Sequence, residues 1–239
     1  MSSPSTNSQD TRTRILHAAE RLFAERGFAA TSLRSLVAEA DVNLAAVHYH
    51  FGSKEGLIRE VFARFIRPVN EERTRRLDAL DARDTPATLE ELLDAWITPS
   101  FEMRSEFGET LVRLMGRVQV DPMPEVEEIV RSQFASFGRR YVQKLSRVLP
   151  ELTNEEVRWR MHFAIGTLTY THAFAHRATR GNRPSGPGLG CRPAADDDLD
   201  RVRRRLVQFL SAAFRAPASA EGTVMKGDTA DAGSDRNSS

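Results

Sequence analysis

The sequence predicts an all-α protein: an N-terminal three-helix domain containing a helix-turn-helix, followed by a larger helical domain. Three observations carry this. Apolar residues recur at helical spacing in segment after segment, and no stretch shows the alternation of a strand or an internal repeat. Capping residues precede several of these segments, as Thr88 with Glu91 and Thr153 with Glu156 do in the capping-box pattern. Gly and Pro punctuate the boundaries, as at Gly27, Pro86 and Pro150.

Taken in order, residues 1–10 are rich in Ser, Thr and Asn and read as a disordered arm. The first helix runs from about Thr11 to Arg26, with Ile15, Ala19, Leu22 and Phe23 as its apolar stripe and Gly27 as its C-terminal cap. The next helix carries Leu33, Leu36, Val37 and Ala40. Asp41-Val42-Asn43 breaks the pattern, because Asp tolerates left-handed backbone and Asn43 can cap a further helix. That helix, from Leu44 to Phe51, turns Val47 and Phe51 inward. Its other face, Leu44, Ala45, Ala46, His48, Tyr49 and His50, holds no Lys, Arg, Asp or Glu. Ser53 caps a fourth helix carrying Leu57, Ile58, Val61, Phe62 and Phe65, which meets Pro68 and continues past a kink through the charged residues 70–80.

After a linker at residues 81–86, a helix with Leu89, Leu92, Leu93, Trp96 and Ile97 is interrupted at Pro99. A short segment holds Phe107, Leu111, Leu114, Met115 and Val118. A turn at residues 121–124 leads to a helix over 125–148 with Ile129, Val130, Phe134, Phe137, Tyr141 and Leu145 on one side. The next helix has only Arg160 and Arg177 as charges between Trp159 and Ala178, so it should be buried on most sides. A Gly/Pro loop over 181–198 precedes a last helix, 199–214, with the stripe Val202, Leu206, Phe209, Leu210 and Ala213. Residues 216–239 read as a disordered tail. The expected organisation is therefore an arm at 1–10, a helix-turn-helix domain at 11–56, a helical body at 57–215 and a tail at 216–239.

Composition bounds the function without naming it. The chain of 239 residues is 40% hydrophobic and 28% charged, ordinary for a globular protein. No apolar run approaches the ~18 residues of a membrane span, and no signal peptide is visible, so a cytoplasmic protein without membrane contact is expected. The single cysteine, Cys191, excludes an intrachain disulfide and a Cys-rich metal site. The net charge of +1 does not announce a nucleic-acid binder.

The stretch from Ser32 to Glu55 is more specific. Thr31-Ser32-Leu33, Ala38-Glu39-Ala40, Val42-Asn43, Val47-His48-Tyr49-His50-Phe51 and Gly52-Ser53-Lys54-Glu55, with residues 15–19 and 22–28 upstream, resemble the DNA-binding motif of the TetR family of bacterial repressors over about fifty residues without a gap. Two positions depart from that pattern. Asp41 replaces the usual turn glycine, and His48 stands where Tyr is most frequent. The resemblance implies a homodimeric repressor that binds double-stranded operator DNA at an inverted repeat and is released by a small-molecule effector.

Residue by residue, the resemblance places DNA contacts at Ser32, Arg34, Leu44, Ala45, Ala46, His48, Tyr49, His50 and Lys54. Ala45 and Ala46 can approach a thymine methyl, and His48 can donate to a base edge or a phosphate. Tyr49, His50 and Lys54 fall near phosphates. Arg12 and Arg14 read as a solvated basic segment, although an arm of this kind can reach DNA. In the body, the implied effector pocket is lined by Trp96, Phe107, Leu111, Met115, Phe134, Phe137, Phe163 and Tyr170. Residues 43–47, 49–54, 107–117 and 159–163 are similar to those of PsrA-like regulators, which implies a hydrophobic effector such as a fatty acid or its acyl-CoA ester. The helices over 159–178 and 199–214 should form a four-helix dimer interface with their two-fold mates.

An enzyme, or a protein-interaction module with a helical hairpin that does not bind DNA, is the competing class. It lacks support in motifs: there is no Gly-rich phosphate loop and no nucleophile elbow. His172 and His176 have helical i,i+4 spacing, but His162 lies about three turns away, so no third metal ligand is evident and neither metal nor cofactor is expected.

Overall fold

The computed structural model describes residues 4–103, 110, 113–118, 123–179 and 198–218, with side chains from residue 8 onward and up to 172 in the long helix that ends at 179. The described residues are helical, with no strand. In chain order the helices are α1 (Pro4–Arg26), α2 (Leu33–Ala40), α3 (Leu44–Phe51), α4 (Lys54–Asp81), α5 (Leu89–Glu102), α6 (113–118), α7 (Pro124–Val148), α8 (Asn154–Thr179) and α9 (Leu199–Arg215).

Two apolar clusters are strung along α4. The first joins Ile15, Leu22 and Phe23 of α1, Leu36 of α2, Val47 and Phe51 of α3, and Leu57, Val61 and Phe62 of α4. Leu114 of α6 and Val126, Ile129 and Val130 of α7 complete it, so the body reaches into the core of the head. The second cluster joins Leu77 of α4 to Leu92 and Trp96 of α5, Tyr141 and Leu145 of α7, Val157 and Ala164 of α8, and Leu206, Leu210 and Phe214 of α9.

The caps agree with the sequence pattern with one exception. Ser32, Asn43, Ser53 and Thr88 each accept a hydrogen bond from the backbone amide three residues on. Thr88 and Glu91 form the full reciprocal box. At Thr153 only half the box forms: the Glu156 amide donates to the Thr153 hydroxyl at 3.1 Å, while the Glu156 carboxylate accepts from Arg160 instead. Asp41 is left-handed (φ 50°, ψ 56°), as the turn between α2 and α3 requires.

Several expectations are corrected. The stretch 1–10 is not wholly a disordered arm, because α1 begins at Pro4; proline at the first helical position has its φ already set for the helix. The fourth helix, inside which the expected 56/57 division lies, is continuous as α4 through Pro68. Likewise α5 is not interrupted at Pro99. Each proline forfeits one backbone bond, and the buried neighbours Ile66 and Val69, or Ile97, Thr98 and Phe101, hold the chain in register. Within one chain α8 is not buried on most sides. Val157, Arg160, Ala164 and Leu168 face inward, while Trp159, Phe163, Ile165 and Tyr170 are exposed. On α9, Leu206, Leu210 and Phe214 are buried, and Phe209 and Ala213 face out. Phe107, Leu111, Cys191 and the side chain of His176 lie outside the described residues.

Candidate nucleic-acid interface

The face predicted to meet DNA is assembled by α2, α3 and the start of α4. Leu44, Ala45, His48 and Tyr49 of α3 are exposed, Tyr49 at 81% of its surface. Ser32 and Arg34 of α2 are exposed beside them. Ala46 is half-buried and packs on the head core, so it has less freedom to reach outward than Ala45. His50 is half-buried too, with the edge of the Tyr49 ring 5.0 Å from it between centroids.

Two predicted contacts are engaged within the chain. His48 Nδ1 lies 3.0 Å from the Gly52 carbonyl, closing the last turn of α3 and leaving Nε2 as the outward nitrogen. Lys54 Nζ donates to the Phe28 carbonyl at 2.6 Å. Burial pulls this ammonium below the usual lysine range, and Glu55 partly offsets that. Arg12 and Arg14 are not a solvated segment. Arg12 pairs with Glu60 at 2.5 Å and lies over the Phe51 ring, while Arg14 donates to the Ala40 and Asp41 carbonyls and so caps α2.

Backbone constraints hold α3 at its angle. A Cβ at Gly56 would stand 2.0 Å from the Phe51 carbonyl oxygen, so the first turn of α4 packs directly on the end of α3. Gly52 bridges them with φ 74°. Thr31, fully buried, donates to the Gly27 carbonyl at 2.7 Å and fixes the approach to α2.

In the body, the predicted pocket residues separate into two groups. Trp96, Phe134 and Phe137 converge on Arg73 of α4, whose guanidinium carbon lies 5.8, 5.9 and 5.6 Å from their ring centres. Met115 is half-buried against the head-side cluster. Phe163 and Tyr170 do not join them. They are exposed at 63% and 61%, because they lie on the side of α8 opposite its buried stripe. Two clefts of about 510 and 450 Å3 open instead beside α5 and α9, lined by charged residues including Glu90, Asp94, Arg204 and Arg76.

Two residues escape reasoning from sequence. The charged run 70–80 conceals Arg73, yet this residue continues the buried stripe Ile66, Val69 and Leu77, which is the signal that reveals it. Arg117 of α6 donates to the Glu25 carbonyl at 2.6 Å and thereby ties the body to the C-terminal end of α1. His172 is occupied by packing: its ring lies tilted against Phe101 with centres 4.4 Å apart, and its Nε2 lies 3.0 Å from Ser100 Oγ. That hydroxyl donates to the Ile97 carbonyl, so the histidine is the donor of the pair and cannot activate the serine as a base. Among the described residues no three His, Cys, Asp or Glu side chains gather as metal ligands, and no helix is long and apolar enough to cross a membrane.

Comparison with known proteins accords with this geometry. Residues 15–61 match the family described as bacterial regulatory proteins, tetR family, and residues 94–213 match the tetracyclin repressor-like C-terminal domain. The chain is 26% identical over 160 residues to the transcriptional regulator UidR of Escherichia coli K12, covering 64% of this chain and 76% of that one. It is 34% identical over 92 residues to the transcriptional repressor KstR2 of Rhodococcus jostii, covering 38% and 42%. The fold is shared with FadR of Bacillus subtilis, a regulator solved in complex with stearoyl-CoA, at TM-score 0.57 and 15% identity over 83% of this chain and 96% of that one. These matches are to regulators of transcription, not to enzymes.

Proposed function

Because the chain belongs to the TetR family of transcriptional regulators, we propose that it is a ligand-responsive repressor that binds palindromic operator DNA as a homodimer. The observation that carries this reading is the outward face of α3. It is free of acidic groups, small at its N-terminal end, and held by capped turns on both sides. That is the surface a recognition helix needs in a major groove. Ala45 approaches a base from the helix start, His48 Nε2 is left as an acceptor for a base-edge N–H because Nδ1 donates to the Gly52 carbonyl, and Ser32, Arg34, Tyr49 and His50 set the helix on the phosphates.

The homodimer reading draws support from the exposed Trp159, Phe163 and Tyr170 of α8 and Phe209 of α9, an apolar surface larger than a lone chain has use for. A two-fold axis through it makes the operator an inverted repeat. The effector reading puts a hydrophobic small molecule among Trp96, Phe134 and Phe137, where α4 and α5 meet α7. An acyl chain, as in the PsrA-like subgroup, is the first candidate. Since α4 carries the head at one end and the body at the other, a ligand that favours one packing of α4 changes the spacing of the two heads. It shifts that balance only by its difference in affinity for the two packings. The DNA-binding role puts the protein in the cytoplasm.

Selection from random DNA tests the reading. Wild-type protein should recover a palindrome, and His48→Ala should alter the preferred bases at a cost of about 1–3 kcal/mol per lost contact. Recovery of no palindrome would favour the interaction-module alternative.

A further inference from the structure

We propose that Arg73 anchors the carboxylate of the effector, so that the molecule releasing the operator is a free hydrophobic monoacid rather than its coenzyme A thioester. This rests on the effector-responsive reading above and adds to it a binding residue and a ligand class.

Arg73 is only 4% exposed. Its Nε donates to the Trp96 carbonyl at 2.8 Å and its Nη1 to Asn70 Oδ1 at 3.2 Å. Both acceptors are neutral. A guanidinium has five N–H groups, and among the described residues no further acceptor and no carboxylate partners this one. Burial pulls its pKa down to about 10, which leaves it charged at neutral pH. Arg160, also buried, is treated differently. It pairs with Glu156 and donates to the carbonyls of Ala213, Phe214, Ala216 and Pro217. Arg160 is a fully partnered strut, whereas Arg73 is a buried cation with no carboxylate partner among the described residues. Removing a charge from water without a partner is costly, so a ligand that brings the anion gains what the protein has left open.

The surroundings define the rest of the ligand. Trp96, Phe134 and Phe137 ring the guanidinium, and the Tyr141 hydroxyl is turned away to the Leu92 carbonyl. A carboxylate can take two parallel N–H bonds from the planar fork, with the apolar remainder against the rings. A coenzyme A thioester has no carboxylate at its acyl end. Its charges are several hydrated phosphates, which a residue buried under three rings cannot meet.

The position also suits a switch. Phe134 packs on the head-side cluster and Trp96 and Phe137 belong to the body-side cluster, so Arg73 lies at the seam between them. Its partner Asn70 donates in turn to the Gln133 carbonyl at 2.9 Å. An anion at Arg73 therefore acts on the contacts among α4, α5 and α7 together.

The test uses full-length protein and the palindrome recovered by selection. Dodecanoate, 4-phenylbutanoate, dodecanoyl-CoA and the two matching alcohols are compared by calorimetry and by release of operator. Expected is binding of at least one acid on the order of tenfold tighter than its alcohol, with the thioester no better than the alcohol. Arg73→Met should keep the helical circular dichroism and operator binding of wild type and lose the preference for the acid. Equal binding of acid and alcohol, binding of the thioester alone, binding of no acid, or an unchanged preference in Arg73→Met would each overturn the anchor. Should Arg73→Met fail to fold, the wild-type ranking of acid, alcohol and thioester decides by itself. An operator released only by uncharged compounds or thioester sinks the anchor and leaves the repressor reading standing, whereas failure of the ligand-free protein to select any palindrome sinks the repressor reading.

Discussion

Lys54 Nζ donates to the Phe28 carbonyl at 2.6 Å, joining the first turn of α4 to the loop after α1. The residue that the motif assigns to a phosphate thus also holds the head together. Lys54→Ala is expected to lower unfolding free energy by about 1 kcal/mol as well as to weaken binding to all DNA sequences alike. Denaturant unfolding beside binding at several salt concentrations separates the roles. A stability loss with an unchanged salt dependence would make Lys54 a structural residue only.

Gly56 is predicted to accept no side chain. The Cβ of alanine would fall 2.0 Å from the Phe51 carbonyl, a backbone atom that cannot swing aside. Gly56→Ala should cost about 1–3 kcal/mol and shift α3 relative to α4. A melting temperature equal to wild type would refute the close packing of these two helices.

The exposed aromatic side of α8 is predicted to carry self-association. Phe163 is 63% exposed and contacts Trp159 at 5.7 Å between ring centres, so Phe163→Asp leaves the fold of one chain intact. Sedimentation should find a dimer for wild type and a monomer for Phe163→Asp at micromolar concentration, with operator affinity falling together with the dimer. A wild-type monomer would contradict the interface.

Acid is predicted to unfold the body from its ion pairs outward. Hydrogen bonds from Arg75, Arg215 and Arg83 hold Glu72, Glu90 and Glu91 respectively at pKa values of about 2, well below the 4.5 of a free glutamate. Because the folded values are depressed, these pairs stabilise fully above about pH 4.5 and lose that contribution as pH falls toward 2. All three carboxylates are near the surface, so salt will screen the effect. Thermal melts across this range should fall less steeply for Glu91→Gln than for wild type; identical slopes would remove Glu91 from the account.

The sequence alone was enough for the helix-turn-helix, since its signals are local. Caps at Asn43 and Ser53, the left-handed Asp41 and the inward pair Val47 and Phe51 all act within a turn or two of chain, and the structure has each in place. The same holds for the buried stripes of α5 and α7. What spacing cannot say is which neighbour a helix meets. Low charge on α8 suggests burial all round, but one chain covers only the Val157–Leu168 stripe, leaving Phe163 and Tyr170 outside the cluster they were expected to line. Arg73, three residues into a charged run, is buried because α5 and α7 close over it with Trp96, Phe134 and Phe137. Arg12, Arg14 and Arg117 likewise found carbonyl, carboxylate or ring partners far away in sequence. Helix formation depends on contacts a few residues apart, and the sequence records those directly. The burial of a charge depends on surfaces brought together from distant segments, and only the tertiary structure decides it.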